Sequence, residues 1–155
     1  MEKTNVMRLL SVTDIIYEER TYDPDLTAGE EVAMALNEDP ECVFKTLVTE
    51  APDKSHYVFC IPVKKKLDLK KAAKVAGVKS VSMIPQKELL PLTGYIHGGC
   101  SPIGMKKAFP TFIDETAQCF DRIFISGGRR GFQIGLDPLE LSKYIQAPFV
   151  LLTSD

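Results

Sequence analysis

An α+β fold, with a mixed and largely antiparallel β-sheet surrounded by helices, is what this 155-residue chain predicts. Three observations carry that prediction. Strand candidates outnumber the helices between them, several strands are joined by short turns, and no low-complexity linker or repeat interrupts the series. A doubly wound parallel sheet, which would alternate strand and helix, is therefore set aside.

The elements follow in order. Residues 4–12 predict a first helix capped by Thr4, with Val6, Leu9 and Leu10 on its apolar side. A strand is expected over 15–22. Thr27-Ala28-Gly29-Glu30 has capping-box spacing and opens a predicted helix over 28–37 that would bury Val32, Ala35 and Leu36. Strands are expected over 42–49 and 57–63, with Asp53-Lys54-Ser55 as the turn between them. Asp68 is placed to cap a lysine-rich helix that stops at Gly77. A short strand near Val81 and a helix over 86–90 come next. Further strands are expected over 95–97, 111–114, 122–126 and 132–136. Asp137-Pro138 reads as an N-cap with proline at the first helical position, opening a helix to about Ile145. A last strand is expected over 149–152.

Length and composition narrow the function classes. The chain fits one domain spanning 1–155, and 45% hydrophobic with 26% charged residues is ordinary for a globular protein. No apolar run approaches the roughly 20 residues that span a bilayer. The first 14 residues show no signal-peptide pattern, so a soluble, cytoplasmic protein with no membrane partner is expected. Cys42, Cys60, Cys100 and Cys119 are far apart and form no CxxC pair; reduced thiols are expected. With only His56 and His97 besides, neither a metal nor a cofactor is expected.

The charges are unevenly spread. Net charge is −2, yet 64–79 holds seven lysines against the single acid Asp68, while 18–41 is mostly acidic. Lys106, Lys107, Arg122, Arg129 and Arg130 add positive charge later. A basic face suits a polyanion such as RNA, but the lysine run by itself reads more simply as a solvated helix face.

Eight of the ten glycines lie between Gly94 and Gly135. Most fall in Thr93-Gly94-Tyr95-Ile96-His97-Gly98-Gly99-Cys100-Ser101-Pro102-Ile103-Gly104 and in Ile125-Ser126-Gly127-Gly128-Arg129-Arg130-Gly131. Two readings fit: hairpin turns, or a polar site in which a ligand approaches main-chain N–H groups closely. Neither cluster has the GxxxxGKS/T or GxGxxG spacing of a phosphate loop.

Lys45 stands in the strand Val43-Phe44-Lys45-Thr46-Leu47-Val48 and shares a face with Val43 and Leu47. A lysine on an apolar face either reaches water at a sheet edge or points into a cleft that receives an anion. Cys100, three residues from His97, suggests a nucleophile, but no third orienting group is indicated, and a loop cysteine is the simpler reading.

Taken together and in order, Phe44-Lys45-Thr46-Leu47, Asp68-Leu69-Lys70-Lys71, the two glycine clusters and Thr111-Phe112-Ile113-Asp114 closely resemble the YbaK/EbsC family, free-standing relatives of the prolyl-tRNA synthetase editing domain. The resemblance runs from about Tyr22 to Ala147. It implies the barrel-like editing-domain fold and an aminoacyl-tRNA deacylase, most typically acting on cysteine mischarged to proline tRNA; the alternatives are the same fold acting on another small aminoacyl group such as alanine, or a non-catalytic RNA-binding module. In that family the substrate's own thiol attacks its ester carbonyl, so the enzyme contributes positioning and charge stabilisation. Lys45 matches the family's indispensable lysine. Tyr22, Thr46, Gly98 and Ser126 match pocket residues, with Gly99 and Gly127 beside them in the glycine walls. Several relatives carry Asp where this chain has Gln133, which puts amino-acid specificity in question. The implied partners are the aminoacylated 3′ end of a mischarged tRNA and, for tRNA specificity, prolyl-tRNA synthetase. Lys65, Lys66, Lys70, Lys71, Arg129 and Arg130 are the candidate tRNA contacts.

Overall fold

The computed structural model describes residues 3–154. Helix α1 (Asn5–Ser11) is capped by Thr4, whose side chain accepts from the Met7 N–H, and it buries Val6, Met7 and Leu10. Strand β1 (Tyr17–Thr21) follows, shorter than the expected 15–22. Helix α2 (Gly29–Ala35) starts at Ala28 without a side-chain cap, so the capping box read from Thr27 and Glu30 does not form. Ala33, not Ala35, enters the core beside Val32; Ala35 is exposed and Leu36 half-buried.

A single 3-10 turn over Pro40–Cys42 then leads into β2 (Phe44–Glu50) and β3 (His56–Pro62). In the connecting turn Asp53 accepts from the Ser55 N–H, and Lys54 rather than a glycine takes the left-handed conformation. Helix α3 (Leu69–Ala76) is capped by Asp68, which accepts from the Lys70 and Lys71 N–H groups, and it ends on left-handed Gly77. Strand β4 (Ser82–Met83) precedes a 3-10 turn over Gln86–Glu88 and helix α4 (Leu89–Thr93), so the helix expected over 86–90 lies further along. The strand expected over 95–97 is a loop. The Thr93 hydroxyl accepts from the Tyr95 N–H and turns the chain there. Strands β5 (Thr111–Asp114), β6 (Ile123–Ser126) and β7 (Phe132–Leu136), helix α5 (Pro138–Ile145) and strand β8 (Phe149–Val150) complete the series. The last of these stops two residues short of expectation.

The fold is α+β, and its sheet is mixed. One sheet has the order β4-β2-β3-β5-β8, the other β1-β7-β6. All strand pairings are antiparallel except β3–β5 and β5–β8. The expected barrel is replaced by two sheets that abut at one isolated parallel bridge, Val43 to Phe124. Because that bridge lies just before β2 begins, the pairing does not extend into a closed ladder.

Strand β3 is central and buried on both faces, which is why it is apolar without alternation. Its Cys60 joins a core built by α1, β5, β6, β7 and α5, while Phe59 and Ile61 pack against Ala72 and Ala73 of α3. Asp114 at the end of β5 is fully buried. It accepts from the Leu152 N–H at 3.0 Å and from the Thr116 hydroxyl at 2.6 Å, pinning the C-terminal segment to the sheet. Among the described residues no helix is long and apolar enough to cross a membrane.

Candidate active site

Where the two sheets abut, an open pocket of about 530 Å³ is lined by β2, the N-terminal end of α2, the first glycine loop, the end of β6 and β7. Its lining includes Lys45, Tyr22, Thr46, Gly98, Ser126 and Gln133, which come from five separate stretches of chain.

The whole stretch from Val43 to Leu47, Lys45 included, lines this space. Lys45 pairs in register with Ile61 of the central strand on one side of β2, while β4 reaches the other side only at Thr49 and Glu50. Among the described residues its ammonium makes no hydrogen bond or ion pair. Burial lowers its pKa; nearby Glu30 works against that, and Lys66 adds to it. A half-buried cation beside a cavity, without a fixed anionic partner, is poised to receive an anion or a polarised oxygen.

The opposite wall is the hairpin β6–β7. Ser126 and Gln133 face each other across it, and the Ser126 hydroxyl accepts from the Gly128 N–H at 3.1 Å. The second glycine cluster is thus a hairpin turn, and of its residues only Ser126 lines the pocket. Gly127 stands behind the lining, its N–H donating to the Phe132 carbonyl at 2.9 Å. Gly98 has φ +85°, a left-handed conformation, and lines the pocket. Gly99 is buried behind it, where a Cβ would lie 3.0 Å from the Arg130 backbone N and 3.1 Å from the Arg129 carbonyl carbon. An approach this close needs glycine. The two glycine loops are further tied by Arg130, whose Nε donates to the His97 carbonyl at 2.8 Å. Tyr22 is anchored to the second loop through its own N–H, which donates to the Gly131 carbonyl at 2.9 Å. Burial pushes its phenol above the ordinary value, against the pull of the Gly131 backbone and Arg130.

Gln133 is 4% exposed. Hydrogen-bonding complementarity assigns its amide nitrogen to the Glu38 side, where it donates to the two carboxylate oxygens at 2.8 and 3.0 Å. Glu38 follows α2 and is half-buried. Burial raises its carboxyl to about 7, Arg20 opposes this, Glu18 adds to it, and the Gln133 hydrogen bond opposes it weakly.

His97 and Cys100 both line the pocket as well. Burial pushes the Cys100 thiol up to about 12, despite the opposing Thr93 side chain, so at neutral pH it is a neutral thiol and not a nucleophile. All four cysteines are free thiols.

The candidate tRNA contacts separate into two groups. Lys65, Lys66 and Lys70 are exposed, and Lys66 is close enough to Lys45 to influence its titration. Lys71 is engaged, its ammonium donating to the Thr153 carbonyl at 2.9 Å, and Arg130 is engaged with the His97 carbonyl. Arg129 is exposed on the hairpin turn.

Sequence reasoning missed Glu30 and Glu31, which line the pocket, and Glu38, which meets Gln133. Glu30 was visible only as part of a capping box that does not form. Glu38 carries no local signal at all, since it meets Gln133 only through the tertiary fold. Among the described residues no group of histidine, cysteine and carboxylate side chains could hold a metal ion.

The chain matches the family model described as an aminoacyl-tRNA editing domain over residues 23–144. It is 42% identical, over 99% of its length and 94% of the relative's, to an Enterococcus faecalis protein named "Putative Cys-tRNA(Pro)/Cys-tRNA(Cys) deacylase EbsC". It is 26% identical, over 74% of its length, to a segment making up 20% of a proline–tRNA ligase of Shouchella clausii. A crystal structure described as "a putative trans-editing enzyme for prolyl tRNA synthetase" superposes with TM-score 0.81 at 24% identity, covering 90% of this chain and 87% of that one.

Proposed function

We propose that this chain, which belongs to the aminoacyl-tRNA editing domain family, is a trans-editing deacylase, acting as one domain over 1–155, that removes cysteine from the 3′ end of mischarged Cys-tRNA(Pro). The observation that carries this reading is Lys45: a half-buried cation with no fixed anionic partner, in a pocket whose other walls are Tyr22, Thr46, Gly98, Ser126 and Gln133.

The chemistry is assigned to the substrate. The cysteinyl thiol attacks its own ester carbonyl, a C–S bond forms and the bond to the ribose oxygen breaks. The thiol proton passes to that oxygen, giving a thiolactone and free tRNA. Lys45 would hold the terminal phosphate or ribose and orient the ester, and the main chain at Gly98 would approach the carbonyl. Such positioning replaces a costly search for the reactive geometry. The neutral Cys100 supports this division of labour, because its thiol is not ready as an enzyme nucleophile.

Incubation with Cys-tRNA(Pro) and Ala-tRNA(Pro) tests the substrate. Loss of the cysteinyl ester, with a thiolactone as first product, is expected; loss of the alanyl ester alone would require an attacking water and overturn the cysteine reading.

The tRNA backbone would meet Lys65, Lys66 and Lys70, which are exposed. Reversing these three charges should weaken tRNA binding and flatten its salt dependence, by about one unit of log–log slope for each phosphate that is no longer neutralised. Unchanged affinity in a filter-binding titration would return the run to an ordinary solvated surface. Prolyl-tRNA synthetase is the proposed partner for selecting the tRNA.

A further inference from the structure

We propose that Glu38 is a positioning residue for the α-ammonium group of the aminoacyl ester, acting through Gln133. This rests on the deacylase reading above and specifies how that pocket recognises the amino acid.

Gln133 lies between two environments, lining the cavity on one side and donating to Glu38 on the other. An ionised carboxylate can only accept hydrogen bonds, so it fixes which end of the amide faces it. With the nitrogen committed to Glu38, the Gln133 oxygen is the polar atom left for the cavity. The negative charge behind it polarises the amide and strengthens that oxygen as an acceptor. An ammonium group is its matched donor. Lys45 stands on a different wall, so the pocket is sorted into a cationic end for the nucleotide and an accepting end for the amino group.

Ionisation of Glu38 sets the arrangement. The charged and titratable groups around it are Arg20 and Glu18 on β1 and Cys42 after α2, with Gln133 on β7 as the neutral contact. Arg20 is itself bound to Glu18 at 2.7 Å, so it only partly offsets the cost of burying the carboxylate. When Glu38 takes up a proton near pH 7 its hydroxyl can donate to the Gln133 oxygen. The amide then turns its NH₂ toward the cavity, a donor facing a donor. A bound ammonium favours the ionised form, so recognition is present above that pH and lost below it.

The test measures kcat and KM for cysteinyl-tRNA(Pro) and for its des-amino counterpart, 3-mercaptopropionyl-tRNA(Pro), across about one pH unit either side of neutrality. The ester's own amine titrates in this range, so variants are compared with wild type on the same substrate. Wild type should prefer the cysteinyl ester about tenfold, the worth of one charge-assisted hydrogen bond, with the preference fading as pH falls. Glu38→Gln should lose the preference and its pH dependence, through KM rather than kcat. Adding Gln133→Asp, which puts a carboxylate at the cavity itself, should restore the preference. Thermal melts establish that each variant is folded. A Glu38→Gln protein with wild-type preference and pH profile overturns the inference alone. A wild type inert on every mischarged tRNA overturns the deacylase reading, and this inference with it.

Discussion

Lys45→Ala is expected to lower the rate of Cys-tRNA(Pro) deacylation by about 10²–10³-fold while leaving the fold intact, the size of effect seen when one preorganised electrostatic interaction with a reacting ester is removed. Stability and activity should separate because the lysine is paid for, in desolvation, by the rest of the protein. It is half-buried on a strand paired to the central β3, and burial lowers its pKa despite the opposing charge of Glu30, with which it forms no ion pair. Removing such a group relieves a cost, so the melting temperature should be unchanged or higher. Single-turnover deacylation beside a thermal melt checks both halves. Equal activity in the two proteins would sink the assignment of Lys45, and a collapsed melt would show that the lysine is structural.

Gly99→Ala should damage the site through a single added methyl. The new Cβ would sit 3.0–3.1 Å from backbone atoms of Arg129 and Arg130, and backbone cannot rotate out of the way as a side-chain tip can. Overpacking of this kind costs about 1–3 kcal/mol. The displacement falls on the packing that sets the distance between Gly98 and the Ser126 wall. A shift approaching 1 Å there should reduce the deacylation rate about 10²-fold. Chemical denaturation and steady-state kinetics would show it. Wild-type values in both would mean that the two loops adjust independently and that the glycine wall has no role in pocket shape.

Much of the architecture was legible because its signals are local. Thr4, Asp68 and Asp137 announce helix starts by a side chain meeting nearby N–H groups, and each does so in the structure. Lys45 was legible as a cation in an apolar strand. What escaped was decided by tertiary packing. The capping box at Thr27 and Glu30 has the right spacing, yet the helix begins at Ala28 without it. Tyr95 and Ile96 look like strand residues, but the Thr93 hydroxyl bends the chain there, and Tyr95 donates through its phenol to the Ile103 carbonyl, closing the loop on itself. Glu38 becomes part of the site only through the tertiary fold, where it meets Gln133. The division into two sheets was equally hidden, since strand spacing does not say whether neighbouring ladders merge.

The single bridge from Val43 to Phe124 has a consequence for how the protein comes to life. Lys45 and Thr46 belong to one sheet, Ser126 and Gln133 to the other, and β1 closes the second by pairing Tyr17 with Leu136 near the far end of the chain. Pairings so distant in sequence carry a large loop-closure cost and tend to form late. A half-finished chain would therefore hold one wall of the pocket without the other. Such a chain has no complete pocket until folding is complete.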